Sequence, residues 1–213
     1  MIISIEGIDG SGKTSVIEYL KEFFRYEPDC IFTKEPGGTV ISDKIRDIFV
    51  HTDDNDIDTK TELLLAAASM AAKKKLITSQ ENKDKFIIFD RYMDSFFAYS
   101  IGGRKTDAKL VHQIANILAM PEPDIVFLLD INPEVAIKRK LLAQDTNKFD
   151  KMDINFFHDV RKFFLERAYY YNKYYNKRYY IINSDIEFEE LTELVGPIIC
   201  TELVKIFKEE EEE

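Results

Sequence analysis

Met1-Ile2-Ile3-Ser4-Ile5-Glu6-Gly7-Ile8-Asp9-Gly10-Ser11-Gly12-Lys13-Thr14 runs from a short apolar stretch through closely spaced glycines. Beyond it, Val16, Ile17, Tyr19, Leu20, Phe23 and Phe24 fall on one helical face. The change from strand period to helix period across a Gly-rich turn predicts a phosphate-binding loop. The spacing Gly7-x-x-x-x-Gly12-Lys13-Thr14 has a mechanical basis: backbone N–H groups wrap a β-phosphate, Lys13 reaches the β and γ oxygens, and the Thr14 hydroxyl can ligate Mg²⁺. Gly7, Gly10 and Gly12 let the backbone approach an anion closely, and a helix opening near Lys13 turns its positive end toward it. Ser11 and Ser15 are expected on the nucleotide as well.

Working outward, apolar runs that read as buried parallel strands recur at Ile2–Ile5, Ile31–Thr33, Phe86–Phe89, Ile125–Leu129 and Tyr179–Ile182. Helical periodicity between them predicts Lys13–Arg25, Ile41–Val50, Lys60–Gln80, Thr106–Met120, Pro133–Leu142, Ile154–Tyr175 and Phe188–Lys208. This alternation predicts a three-layer α/β fold, a five-stranded parallel sheet with helices on both faces. Thr39 or Ser42 is suited to cap the second helix, and Asp107 the fourth. The polar stretch 145–151 reads as a loop between two helices. The closing run of five Glu residues reads as a solvated acidic tail over 209–213. We expect one domain over 1–208, with a loop near 141–153. Tyr169-Tyr170-Tyr171-Asn172-Lys173-Tyr174-Tyr175 is read as helix-spaced packing, not as a stacking platform for nucleic acid.

A chain of 213 residues, 45% hydrophobic, buries one substantial core. Its formal charge of -10 argues against a general nucleic-acid surface, so any phosphate site must be local. Met1 leads straight into the first strand, and no apolar run approaches the roughly 20 residues a bilayer requires; we expect a cytoplasmic protein. Cys30 and Cys200 stand alone, and His51, His112 and His158 lack metal-ligand spacing.

The second chemical signal is Phe86-Ile87-Ile88-Phe89-Asp90-Arg91-Tyr92, where a hydrophobic strand ends in an acid followed by a base. Ligands of parallel sheets bind at the carboxyl ends of strands, so Asp90 is expected beside the phosphate loop, as a ligand to hydrated Mg²⁺, with Arg91 facing a second anion. Phosphoryl transfer needs this pairing, because alignment and charge neutralisation drive it more than proton abstraction does. A nucleotide-hydrolysing switch could use the same loop. A GTPase would want Asn-Lys-x-Asp, and Asn82-Lys83-Asp84-Lys85 has the wrong spacing.

Glu35-Pro36-Gly37-Gly38-Thr39 follows the second strand with Arg46 beyond it, and Ser95-x-x-Ala98-Tyr99-Ser100-x-Gly102-Gly103-Arg104 follows the Asp-Arg-Tyr strand end. With Pro123-Asp124, Leu129-Asp130, Pro133-Glu134 and Phe156-Phe157-x-x-Val160-Arg161, these segments resemble the thymidylate kinase family of P-loop nucleoside monophosphate kinases. The resemblance implies Mg²⁺-dependent transfer of the ATP γ-phosphoryl group to a deoxynucleoside monophosphate such as dTMP, by a homodimer. Another deoxynucleotide is the alternative acceptor. Asp9 looks like the acid that meets the acceptor's sugar and Mg²⁺-bound water, and Arg46 and Arg91 like the pair on its phosphate. Glu35 and Pro36 look like the turn beside that phosphate, where a cis Pro36 bond is expected. Ser95 and Tyr99 look like pocket residues. Arg139, Lys148 and Lys151 look like the lid over ATP, with Lys151 the candidate catalytic cation.

The sequence departs from the family in three places. The lid offers lysines where relatives have arginines, and Ser100-Ile101 stands where many have Gln-Gly. The helix wall expected to carry a stacking aromatic and a base-reading arginine has Leu65 or Ala66, and Ser69 or Met70, depending on register. We therefore expect relaxed base selectivity, unless Tyr92, Phe96 or another aromatic restores the stack.

Overall fold

A computed structural model describes residues 1–52, 56–143, 152–175, 178–186, 190, 193, 196–201 and 203–205. Five parallel strands, β1 (Ile2–Glu6), β2 (Cys30–Lys34), β3 (Phe86–Asp90), β4 (Ile125–Asp130) and β5 (Arg178–Asn183), form one sheet in the order β2-β3-β1-β4-β5. Each strand extends the apolar run that predicted it by one or two residues.

The helices are α1 (Lys13–Phe23), α2 (Val40–His51), α3 (Thr59–Ala71), α4 (Lys74–Thr78), α5 (Met93–Phe97), α6 (Ala108–Leu118), α7 (Pro133–Ala143) and α8 (Ile154–Tyr175). The period-two alternation of the strands sorts their side chains into two layers. Ile3, Ile5, Ile88, Phe127 and Leu129 meet Val16, Ile17 and Leu20 of α1, together with Ile199, Cys200 and Leu203. Ile2, Ile87 and Phe89 point the other way, onto Leu63, Ala67 and Met70 of α3, α5, and Val111 of α6. Leu128 joins that second layer beside Ala136 of α7 and Phe156, Phe157 and Val160 of α8. Thr39 caps α2, its hydroxyl accepting from Ser42 N at 3.2 Å, and Asp107 caps α6.

Three expectations need correction. The single helix over Lys60–Gln80 is two, because Lys73 N closes a tight turn onto Met70 O (3.0 Å) while its side chain leaves the helix surface for a buried carboxylate. Between β3 and Thr106, where no helix is expected, lie α5 and a π-helical turn, Ala98–Gly103. The tyrosine run is largely exposed: only Tyr171 packs inward, on Tyr179, while Tyr170, Tyr174 and Tyr175 lie against one another at the surface. Within Phe188–Lys208 the described residues are helical, and the acidic tail and 144–151 lie outside the described residues. Among the described residues, no helix is long and apolar enough to cross a membrane.

Candidate active site

Because β1 is hydrogen-bonded to β3, the chain segments leaving their carboxyl ends run side by side. Asp90 is level with Ile5, and Arg91 N donates to Ile5 O at 3.0 Å. Arg91 therefore emerges directly beside the phosphate loop, in a left-handed conformation (φ 67°) that a non-glycine residue adopts only under constraint. The constraint is visible: its guanidinium donates to Gly7 O (2.8 Å), to Ser95 Oγ (3.2 Å) and to the Asp9 carboxylate.

Within the loop, Lys13 is nearly enclosed, its Nζ 2.8 Å from Ile8 O and 3.4 Å from Ser11 Oγ. Burial and the nearby Arg91 charge pull its pKa down to about 7, against the opposing charges of Asp9, Asp90 and Glu6. The loop is seated on α7. At Gly10 a Cβ would lie 2.3 Å from Ala136 O, so no other residue fits there. Gly12 adopts a left-handed conformation (φ 91°) and opens α1, with Thr14 exposed and Ser15 half-buried in its first turn. Asp90 is half-buried at its strand end.

Asp9 is the meeting point. Besides Arg91 it accepts from Tyr99 Oη at 3.3 Å, and Lys140 Nζ of α7 stands 3.6 Å from its other oxygen. Tyr99 in turn carries the Arg91 guanidinium 5.0 Å above its ring. Phosphate loop, strand-end arginine and the turn after α5 thus converge on one carboxylate, and Ser95 joins them through Arg91.

The Glu35–Pro36 peptide is cis. Arg46 reaches back from α2 to donate to Pro36 O at 3.0 Å. The same turn rests on a polar cluster that sequence reasoning missed. Lys73, wholly buried, donates to Glu35 and to Ser42 Oγ (3.0 Å), Ser42 Oγ accepts from Gly37 N (2.8 Å), and Ser69 Oγ lies 2.5 Å from Ser42 Oγ. Burial pushes the Glu35 carboxyl up and the Lys73 ammonium down, each opposed by the other's charge. The available signal was one lysine on the apolar side of a predicted helix.

Glu6 was missed as well. Wholly buried at the end of β1, it accepts from Tyr92 N (2.8 Å) and Ser95 Oγ (2.5 Å), tying β1 to the segment after β3. Burial, reinforced by the Asp94 charge, lifts its pKa to about 7. Asp94 itself pairs with Arg167 of α8 and accepts from Tyr179 Oη, anchoring α5.

The remaining expected residues divide. Ser69 belongs to the Lys73 cluster, Leu65 and Ala66 are half-buried, and Met70 is sealed in the second layer. Tyr92 and Phe96 are both committed to that layer, Tyr92 Oη donating to Pro121 O at 2.9 Å. Arg139 turns from the phosphate loop toward the end of β5, donating to Ser184 O (2.9 Å) and Ile186 O. Lys148 and Lys151 lie outside the described residues.

A phosphate loop at the end of a parallel strand, with an arginine from the neighbouring strand end facing it, defines a P-loop phosphotransferase. A family model described as Thymidylate kinase matches residues 5–195. The chain is 35% identical over 198 residues to the thymidylate kinase of Aster yellows witches'-broom phytoplasma, covering 92% of this chain and 94% of that one. It is 40% identical over 172 residues to that of Wolbachia pipientis wMel (79% and 85%) and 34% identical over 199 residues to that of Lactobacillus acidophilus (91% and 90%). The chain belongs to the thymidylate kinase family.

Proposed function

We propose that this kinase transfers the γ-phosphoryl group of ATP to dTMP, giving dTDP and ADP. The convergence at Asp9 supports it: the donor loop and the arginine suited to the acceptor phosphate share one carboxylate. Gly7, Gly10, Ser11, Gly12, Lys13, Thr14 and Ser15 hold the donor phosphates. Arg91 and Arg46 hold the acceptor phosphate, Tyr99 and Ser95 shape its pocket, and Asp9 meets its sugar. Arg139 serves the nucleotide from the β5 side, and Lys151 is the cation brought by the lid near 141–153.

The donor set fits Mg²⁺. Thr14 and Asp90 offer hard oxygen ligands at the loop, and among the described residues no group of three or more His, Cys, Asp or Glu could hold an ion. That is the arrangement for a cation held chiefly by substrate phosphates and water. Thr14 and Asp90 would hold Mg²⁺ there, and the ion would supply positive charge against the donor phosphates. Lys13 and Arg91 then supply fixed positive charge on the donor and acceptor sides of the transferring group.

We further propose a homodimer working in the cytoplasm. Val40, Ile41 and Ile48 of α2, Leu64 of α3 and Ile117 of α6 expose large apolar side chains on three neighbouring helices. Free Cys30 and Cys200 suit a reducing compartment. The deciding experiment is ADP formation against a panel of dTMP, dUMP, dCMP, dGMP and AMP. Strict dependence on an added monophosphate with dTMP accepted supports the kinase; acceptor-independent hydrolysis refutes it.

A further inference from the structure

We propose that Lys140 is a catalytic residue of the phosphoryl transfer, supplying from α7 a cation that neutralises charge developing on the transferring group. This rests on the kinase reading above. A lysine ordinarily keeps its ammonium in water, yet Lys140 is only 9% exposed and sits at the phosphate loop. Its direction is built in. Ala136 and Lys140 are one helical turn apart on the same face of α7, Ala136 O abuts Gly10 of the loop, and Lys140 Nζ stands 3.6 Å from Asp9 Oδ2.

The position matters more than the pair. Asp9 Oδ1 is held by Arg91, so the Asp9 carboxylate is flanked by the acceptor-side guanidinium and the Lys140 ammonium. Lys13 supplies a third positive charge from beneath the loop. In the transfer, the bond between the γ-phosphorus and the β–γ bridging oxygen breaks, its electron pair leaving on ADP. A bond forms from an acceptor phosphate oxygen, which at neutral pH needs no base. Charge thus shifts along the line between the donor loop and Arg91, and a cation flanking that line counts most when the transfer is half complete. Arg139, the neighbouring cation, is turned toward Ser184 O and Ile186 O.

The test compares Lys140→Met, Lys140→Gln and Lys140→Arg with wild type in kcat, dTMP KM and equilibrium ATP binding. We expect the Met and Gln variants to lose about 10²-fold or more in kcat, and the Arg variant to recover most of it. The dTMP KM and ATP Kd should move by no more than about threefold, the retained ATP binding also certifying the fold. The same loss should persist in an Asp9→Asn background. An unchanged kcat, an effect confined to dTMP KM, or a loss that vanishes without the Asp9 charge would overturn the proposal, reducing Lys140 to a support for Asp9. Absence of dTMP-dependent turnover in the wild type would instead overturn the kinase reading itself.

Discussion

At the scale of single residues, the chemistry turns on how much positive charge can be packed around one loop. Lys13 is buried beneath it with a pKa drawn down to about 7, chiefly by desolvation. A polyphosphate on the loop reverses that shift, because a dense negative charge favours the ammonium. ATP binding at about pH 8 should therefore take up a proton, and the uptake should fade below about pH 6, where Lys13 is already charged. Calorimetry in two buffers of different ionisation enthalpy measures this directly; equal heats in both would contradict it. Lys13→Ala should abolish both the uptake and turnover while the fold survives.

Arg91 offers a matching test on the acceptor side. Its two NH groups are already separated in role, one toward Gly7 O and Ser95, the other toward Asp9. Lysine keeps the charge and loses the fork. Arg91→Lys should raise the dTMP KM about tenfold or more, with a smaller effect on ATP binding, in line with the worth of a charge-assisted hydrogen bond. Titrations showing ATP binding lost and dTMP binding intact would exchange the two sites.

Between elements, buried charges act as latches. Glu6 joins β1 to Tyr92 and Ser95, and its folded pKa of about 7 lies above the ordinary 4.5. The folded state thus binds this proton more tightly than the unfolded chain does. The corresponding stability is complete below pH 4.5 and is lost as pH rises through about 7. Glu6→Gln should flatten that part of the Tm-against-pH curve, and an unaltered slope would remove Glu6 as its cause. The Lys73–Glu35 latch, which ties the junction of α3 and α4 to the turn before α2, should cost about 3–5 kcal/mol when broken by Lys73→Met, since a buried carboxylate loses its partner. Denaturant unfolding measures that loss.

The α3 wall sets a prediction of a different kind. Leu65 and Ala66 offer no aromatic face, Ser69 is engaged with Ser42, and Tyr92 and Phe96 are held in the core. Competing monophosphates should therefore be used better, relative to dTMP, than by a kinase with a stacking aromatic, which contributes ~0.5–1.5 kcal/mol beyond area. A kcat/KM preference for dTMP over every other monophosphate by several orders of magnitude would show that other residues rebuild the selectivity.

At the scale of the molecule, the proposed homodimer would cover the exposed apolar residues of α2, α3 and α6. Leu64 is 59% and Ile117 81% exposed, which isolated helices at a monomer surface tolerate poorly as a group. Sedimentation should give twice the mass of one chain, shifting toward one in Leu64→Glu; a single-chain mass in the wild type would refute the dimer. The sheet and the phosphate loop were legible in the amino-acid order because both depend on local patterns: continuous apolar runs, a change of period, and glycines at fixed spacing. That the Asp90 strand end lies beside the loop followed from a general rule of parallel sheets. The long-range polar pairs did not follow. Glu6 with Ser95, Lys73 with Glu35 and Lys140 with Asp9 join residues far apart in sequence, and their burial depends on which helix face meets which strand end. The sequence by itself determined a phosphate loop on a parallel sheet. Only the tertiary structure decided which cations reach that loop, because packing selects the lysines that give up water for a carboxylate and leaves the others at the surface.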